Sequence, residues 1–121
     1  MLFRSATGLA AFRFDVGDRW GQIVVATVTE FGRRVNENAS NGTDHGWASS
    51  MFVLGGRVNG RRILGEFPGL QPTQLVDGDV RVTTDYRSVL AEILTRGAGF
   101  SAASAERIFP RFSPRQLGVI R

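Results

Sequence analysis

The sequence predicts an α/β fold, because strand-like and helix-like apolar patterns follow one another along its 121 residues. Residues 23–28 form the nearly continuous apolar run Ile-Val-Val-Ala-Thr-Val, which is typical of a strand covered on both faces. Residues 50–54 predict a second strand, which ends at the pair Gly55-Gly56. A helix is predicted further along, because apolar residues recur there at helical spacing: Tyr86, Val89, Leu90, Ile93 and Leu94.

The ends of the predicted helices carry suitable capping residues. Thr84 or Asp85 is placed to cap the main helix, and Gly97 is placed to end it after about Arg96. We expect its apolar face to be buried, with Leu90 near the middle. A loose apolar stripe predicts an earlier helix over residues 7–16, and a short helix is predicted over residues 101–108.

The segments between these elements read as loops and turns. Residues 33–42 are rich in asparagine, serine and glycine and lack an apolar period, so we expect a loop outside the core. Asp77-Gly78 predicts a tight turn. At the end of the chain, three apolar residues predict a docked terminal strand or tail: Leu117, Val119 and Ile120.

Composition limits the classes of function. The chain has 42% hydrophobic residues and no cysteine, which indicates a globular protein and excludes disulfides and thiolate metal sites. Its net charge is +4, and its 15 basic residues are all arginine. Because these arginines are scattered and are not interleaved with stacking aromatics, we expect solvated surface and no nucleic-acid partner. No apolar run has the length of a membrane span.

The sharpest local motif is Thr43-Asp44-His45-Gly46, which holds the only histidine. A carboxylate beside an imidazole supplies two ligands for a divalent metal ion, so Asp44 and His45 are candidate metal ligands. The alternative is an Asp–His pair that orders the loop through hydrogen bonds. Both interpretations stay open from these residues alone.

Glu30 is the third candidate metal ligand, because it follows the first predicted strand at its carboxyl end. Glu30 and His45 share one edge only if the second strand runs antiparallel to the first or if the loop crosses back. The alternative is a solvent-facing carboxylate or a partner for Arg33 or Arg34. A two-metal hydrolytic site needs about six ligands, and no serine or threonine has a base beside it, so the catalytic residues are unknown.

Six motifs occur together in one order and carry a family resemblance. They are Val-Ala-Thr-Val-Thr-Glu-Phe-Gly-Arg at 25–33, the turn residues 38–42, Gly-Thr-Asp-His-Gly at 42–46, Phe-Val-Leu-Gly-Gly at 52–56, Gly-Glu-Phe-Pro-Gly-Leu at 65–70 and Thr-Thr-Asp-Tyr-Arg-Ser-Val-Leu at 83–90. As a set they resemble the carboxyl-terminal part of the "domain of unknown function fifteen-oh-one" family. Those bacterial proteins are sulfatase-like, are related to the alkaline phosphatase superfamily and are usually exported by the twin-arginine route.

The resemblance implies the carboxyl-terminal part of a three-layer αβα sandwich with a mixed sheet. It implies an exported, periplasmic or extracellular protein and a metal-dependent hydrolase of sulfate or phosphate esters, acting on a small-molecule ester or a surface polymer. By order along the chain, Glu30-Phe31 stands where active superfamily members have an Asp-His ligand pair, and His45 stands where they have a later histidine. Phe31 cannot ligate a metal. The alternative is therefore a non-catalytic binding or structural protein that retains the fold.

The resemblance also implies that residues 1–121 form a single partial domain. The nucleophile and the remaining metal ligands would lie in an amino-terminal part of the same protein, which would also be a partner of this chain. Residues 1–5, Met-Leu-Phe-Arg-Ser, read as a translated sequencing adapter. We expect these five residues to be non-native, and the fragment alone to be inactive.

Overall fold

The computed structural model describes residues 2–121, with side chains from residue 4 onwards, and within them it is a mixed α/β structure. The predicted α/β class is confirmed at this level. Three α-helices are described: α1 (Leu2–Val16), α2 (Tyr86–Glu92) and α3 (Ala102–Ile108). Four strands are described: β1 (Val24–Ala26), β2 (Gly32–Glu37), β3 (Thr43–Gly46) and β4 (Val53–Gly55). Short 3₁₀ helices lie at Gly17–Gln22 and Pro72–Gln74, and a π-helix at Ile93–Gly97.

The strands of residues 2–121 form two separate two-stranded sheets, and both are antiparallel. In the first, β1 pairs with β4, so that Val24 lies opposite Gly55. In the second, β2 pairs with β3, so that Gly32 lies opposite Gly46. The described residues thus contain no mixed sheet, and the three-layer sandwich stays a prediction.

The first strand is shorter and less covered than predicted. β1 spans Val24–Ala26 instead of residues 23–28, all three of its residues are half-buried, and Val28 is 59% exposed. The reason is that β1 has one neighbouring strand among the described residues, so it is not buried on both sides as an interior strand would be. The predicted second strand does pair antiparallel with it, but as Val53–Gly55 instead of residues 50–54.

The predicted loop over residues 33–42 was wrong in its first half. Residues 32–37 form β2, and they pair with β3 in a hairpin that has an irregular register between Arg33 and Glu37. Most of the β2 side chains are exposed, so this strand needs no apolar alternation. Backbone pairing and the turn chemistry at Asn38 hold it, which is why an apolar period could not reveal it.

The main helix begins as predicted but buries a different face. Asp85 is its N-cap, and the carboxylate accepts a hydrogen bond from the Arg87 backbone N–H at 2.9 Å. The helix continues as the π-helix to Gly97, the predicted end. The buried positions of α2 are Ser88, Ala91 and Glu92. The four apolar side chains predicted to be buried are only half-buried: Val89, Leu90, Ile93 and Leu94.

Contacts with the end of the chain explain this shift of the buried face. The Ser88 hydroxyl accepts from the Arg115 backbone N–H, and the Glu92 carboxylate accepts from backbone N–H groups of the tail. Polar side chains can be buried on this face because each has a hydrogen-bond partner.

The small core lies where the terminal tail crosses the chain after β4. Val58 forms an antiparallel bridge with Ile120, and both are buried together with Val119. Half-buried side chains from the first sheet and the main helix pack against them: Val24, Val53, Val89, Ile93 and Leu117. The predicted docking of the terminal segment is therefore confirmed.

The remaining helix predictions are confirmed, although α1 begins at Leu2, five residues before the predicted start. α1 ends at Val16, before Gly17 with φ +53°, and α3 begins after the N-cap Ser101. Met1, the first residue of the segment predicted to be non-native, lies outside the described residues, while the backbone of residues 2–5 belongs to α1. Among the described residues, no helix combines the length and apolar character needed to cross a membrane.

Candidate functional site

The β2–β3 hairpin is closed by a turn that Asn38 organises. The Asn38 Oδ1 accepts hydrogen bonds from the backbone N–H groups of Ser40 and Gly42, at 3.0 and 3.1 Å. Its Nδ2 donates to the Asp44 Oδ1 at 2.9 Å. Asn41 takes a positive φ of 55°, which asparagine tolerates well. One asparagine therefore shapes the turn and also holds the Asp44 carboxylate.

His45 is packed against Phe31 at the other end of the hairpin. Their rings are stacked, with centroids 3.6 Å apart and planes 18° apart. Arg33 lies opposite His45 in the strand pair, and its guanidinium lies 5.6 Å from the Phe31 ring. The Arg33 Nη1 also donates to the Thr43 carbonyl at 2.7 Å. The imidazole is thus held on one face, while His45 as a residue stays exposed.

An open cleft of about 720 Å³ lies along this hairpin. Polar and charged side chains from both strands, the turn and a neighbouring segment line it together with one tryptophan: Arg33, Arg34, Asn38, Thr43, Asp44, His45, Trp47 and Asp79. We call it the hairpin cleft.

Asp79 enters the hairpin cleft from a tight turn over residues 76–79. Val76 and Asp79 exchange both backbone hydrogen bonds, and the residues between them, Asp77 and Gly78, have φ values of 51° and 82°. The predicted Asp77-Gly78 turn is confirmed, and these angles are those of a type I′ turn. The turn is joined to the hairpin by Arg34, whose Nη2 donates to the Asp77 carbonyl at 2.7 Å and lies 3.5 Å from the Asp79 Oδ2.

The Asp79 carboxylate is buried with incomplete hydrogen bonding. The residue is 4% exposed, and its Oδ1 has no hydrogen-bond partner among the described residues. Gly46 lies directly against it: a Cβ built on Gly46 would be 2.5 Å from the Asp79 Oδ1 and 2.7 Å from the Arg33 carbonyl carbon. Glycine at position 46 is therefore required for the hairpin to approach this turn.

The structure brings two of the three predicted metal ligands into the hairpin cleft. Asp44 and His45 both line it, whereas Glu30 lies in an exposed bend before β2 and is not a lining residue. The hairpin returns residues 43–46 to the segment after Glu30, because Gly46 pairs with Gly32. No three His, Cys, Asp or Glu side chains cluster as a metal-binding group within the described part of the chain. Metal binding by Glu30, Asp44 and His45 stays a prediction.

Several lining residues were missed by sequence reasoning. Arg33 and Arg34 belong to the arginines that the sequence places on solvated surface, yet both line the hairpin cleft. Trp47 is 65% exposed, although a tryptophan at this place in the sequence is more typical of packing than of a binding surface. Nothing in the sequence marked Asp79, because its contact with Arg34 joins residues that are 45 positions apart. The turn signal at Asp77-Gly78 gave the only hint of a structured element there.

A family model described as "Protein of unknown function (DUF1501)" matches residues 4–96, well over half of the chain. No curated protein and no solved structure matches the sequence. The matched segment contains both strands of the hairpin, all the residues that line the hairpin cleft and all of α2. This chain therefore belongs to the DUF1501 family of proteins of unknown function.

Proposed function

We propose that this chain is part of an exported, sulfatase-like protein and that its hairpin cleft binds the anionic group of a sulfate or phosphate ester. The observation that carries the proposal is the presence of Arg33 and Arg34, beside His45, in one open cleft. The sandwich fold, the export and the relation to the alkaline phosphatase superfamily come from the sequence resemblance. The ligand class is supported by the chemistry of the cleft.

Arg33 is the residue best suited to hold the anion. A guanidinium has five N–H donors in a planar fork that matches sulfate and phosphate oxygens. One donor of Arg33 reaches the Thr43 carbonyl, so the group is anchored while its other N–H groups keep the capacity to donate. Arg34 is held by the Asp77 carbonyl and Asp79, which fixes a second guanidinium in the same cleft, with part of its charge offset by the Asp79 carboxylate. Two anchored guanidiniums favour a single compact anion.

The proposal also includes hydrolysis by a metal-dependent mechanism. The chain supplies only some of the metal ligands that this mechanism needs. Asp44 and His45 have suitable donor atoms for a divalent ion and lie together on β3, while Glu30 stands apart from the cleft. The described residues therefore do not fit a complete metal centre, and no catalytic step is assigned to them. The nucleophile and the missing ligands would come from the amino-terminal part of the protein.

A non-catalytic binding protein is the second candidate, and one observation favours it. Phe31 stands where the resemblance implies a histidine ligand, and its ring covers one face of His45. An apolar ring in this place leaves ester binding possible, because the arginines are unaffected, but it removes a ligand. The two candidates share the anion-binding cleft and differ in the presence of hydrolysis.

The proposal that more of the same protein covers this chain is supported by its apolar surface. Ile63 is 99% exposed, Phe14 is 88% exposed and Phe67 is 75% exposed. Contact with another protein segment would remove such apolar side chains from water, which is favourable. The amino-terminal part is the partner proposed for them.

Anion titration of the 121-residue chain tests the binding proposal. Sodium sulfate and methyl sulfate would be titrated into the chain at constant ionic strength, with backbone amide NMR shifts of the hairpin as the readout. We expect saturable shifts in residues 32–46, weakened about tenfold or more in Arg33→Gln, because a charge-assisted hydrogen bond contributes about 1.5–3 kcal/mol. Arg62→Gln, an exposed arginine outside the cleft, is the matched control.

Two results of the titration would contradict the proposal, and a second experiment tests for hydrolysis. Shifts that do not saturate, or that are equal in Arg33→Gln and Arg62→Gln, would contradict anion binding in the hairpin cleft. Hydrolysis of 4-nitrophenyl sulfate and 4-nitrophenyl phosphate by the full-length protein, together with elemental analysis for divalent metal, then distinguishes the hydrolase from the binding protein.

A further inference from the structure

Trp47 is the one side chain of the hairpin cleft with a large apolar face, and it is 65% exposed. It follows β3 directly, so the strand pair holds its backbone while its indole stays open to solvent. In the unbound protein, exposing the apolar surface of this indole to water is unfavourable in free energy. That placement fits a ligand that has an apolar face of its own as well as polar groups.

Polar groups with hydrogen-bonding capacity surround Trp47 in the cleft. Asp44 is exposed, and only its Oδ1 is held by Asn38, so its Oδ2 keeps the capacity to accept from a hydroxyl. Asn38 and Arg33 are anchored by the hairpin itself, which fixes their positions before any ligand arrives. The cleft thus combines preorganised hydrogen-bonding groups with one stacking surface.

The charges of the cleft argue against a polyanionic ligand. Two guanidinium groups and two carboxylates line it, from Arg33, Arg34, Asp44 and Asp79. A polyphosphate or a nucleic-acid strand would meet the two carboxylates with more negative charge than the two arginines balance. A ligand with one anionic group and several hydroxyls matches this set better.

We infer that the ester bound in the hairpin cleft is carried by a sugar ring, which stacks its apolar C–H face on Trp47 and offers hydroxyls to Asp44. This inference rests on the proposed function, because the anionic group of the same molecule lies on Arg33. Its new content is the substrate class, a sulfated or phosphorylated sugar, and the role of Trp47 as a specificity-determining residue.

Two measurements on the 121-residue chain test the sugar ring separately from the anion. The first is amide NMR titration with glucose 6-sulfate, methyl sulfate and adenosine 5′-monophosphate. We expect glucose 6-sulfate to bind about fivefold to tenfold more tightly than methyl sulfate, because its ring adds a contact with the indole face that methyl sulfate lacks. In Trp47→Ala the two sulfates should bind equally, and in Trp47→Phe most of the preference should remain.

The second measurement is indole fluorescence in Trp20→Phe, which leaves Trp47 as the only tryptophan. Trp20 contacts Arg13 and is not a lining residue, so its replacement leaves the cleft intact. We expect glucose 6-sulfate to change the Trp47 emission with the same midpoint as the NMR titration. Methyl sulfate, which has no ring, should leave the emission nearly unchanged.

The possible failures are distinguishable. Equal binding of glucose 6-sulfate and methyl sulfate in the parent chain, still dependent on Arg33, would overturn the sugar inference and leave the proposed anion site standing. Tighter binding of adenosine 5′-monophosphate than of glucose 6-sulfate would overturn it in favour of a nucleotide. No binding of any of the three compounds would overturn both the inference and the proposed function.

Discussion

Glu92 in the main helix and Asp79 beside the hairpin cleft are two buried carboxylates in contrasting surroundings. Glu92 is 5% exposed and accepts backbone hydrogen bonds from Leu117 at 2.7 Å, Gly118 at 3.0 Å and Ile120 at 3.0 Å. Asp79 is 4% exposed, but it has one ion pair at 3.5 Å, and its Oδ1 has no partner among the described residues.

The difference shows two uses of a buried negative charge. Burying a carboxylate costs free energy unless hydrogen bonds replace its hydration. Glu92 offsets that cost with three donors and in return joins the helix to the tail, so its role is structural. Asp79 offsets the cost only partly, and its main contact holds Arg34 in the cleft, so its role lies at the site. Three predictions test this contrast, from the largest expected effect to the smallest.

The largest effect is expected for Glu92→Ala. The change removes the acceptor for three tail N–H groups, one buried and two half-buried, so we expect a loss of about 3–5 kcal/mol in the free energy of unfolding. Urea unfolding followed by circular dichroism measures it. Glu92→Gln keeps one acceptor oxygen, so its free energy of unfolding should lie between those of the parent and Glu92→Ala.

Glu106→Ala is the matched control for this change, because Glu106 is an exposed glutamate in the neighbouring helix α3. Its loss should be within about 0.5 kcal/mol. A loss below about 1 kcal/mol in Glu92→Ala, or equal losses at positions 92 and 106, would contradict a structural role for Glu92.

A smaller loss of stability is expected when the pH is lowered. Burial alone would raise the pKa of Glu92, but the hydrogen bonds from the backbone N–H groups of Ile120, Leu117 and Gly118 outweigh it and hold the pKa below its ordinary value. Because the folded state then binds its proton less readily than the unfolded state, this stabilisation is complete above the ordinary pKa of glutamate, about 4.3. It is lost as the pH falls through the lower pKa of the folded state.

Urea midpoints measured from pH 7 down to about pH 3 check this dependence. Glu92→Gln should show a flatter acid limb than the parent chain, since residue 92 no longer titrates. Asp85→Asn is the comparison, because a side-chain hydrogen bond from Arg87 also holds the pKa of Asp85 below its usual range, on a more exposed pair. An acid limb equally steep in Glu92→Gln and in the parent would contradict a contribution of the ionised Glu92 carboxylate to stability.

The same contrast explains how much of the fold the sequence could predict. Features that depend on residues close together in the sequence were predicted correctly. The Asp85 cap accepts from a residue two positions away, and the Asp77-Gly78 turn is set by the φ values of those two residues. The burial of Glu92 could not be predicted, because its hydrogen-bond partners lie 25 to 28 residues further along the chain. A helical stripe marks the apolar face only, and here polar residues are buried on another face.

The candidate site was predicted in part for a similar reason. Asp44 and His45 stood out through their chemistry, and both do line the hairpin cleft. β2 was missed because its mostly exposed side chains need no apolar pattern, and with it the position of Arg33 was missed. The exposure of Trp47 could not be predicted from the sequence either, since tryptophan is found both in cores and at binding surfaces.

The smallest effect is expected for Asp79→Asn. The neutral amide carries a lower cost of burial than the carboxylate and gives up only the 3.5 Å ion pair with Arg34, so the free energy of unfolding should change by less than about 1 kcal/mol. Removing one negative charge beside Arg33 and Arg34 should strengthen methyl sulfate binding about twofold to fivefold. High salt should reduce that gain, because it screens the charges.

Asp77→Asn is the matched control, since residue 77 has φ 51°, which asparagine also adopts, and its contact with Arg34 is made by the backbone carbonyl. We expect a smaller gain in methyl sulfate affinity at this position, because the Asp77 side chain is not part of the cleft lining. If Asp79→Asn destabilises the chain as much as Glu92→Ala, then Asp79 is a second structural carboxylate and the contrast fails. If stability holds and affinity rises only at position 79, the incomplete hydrogen bonding of Asp79 belongs to the site, where its charge sets how strongly the two arginines bind an anion.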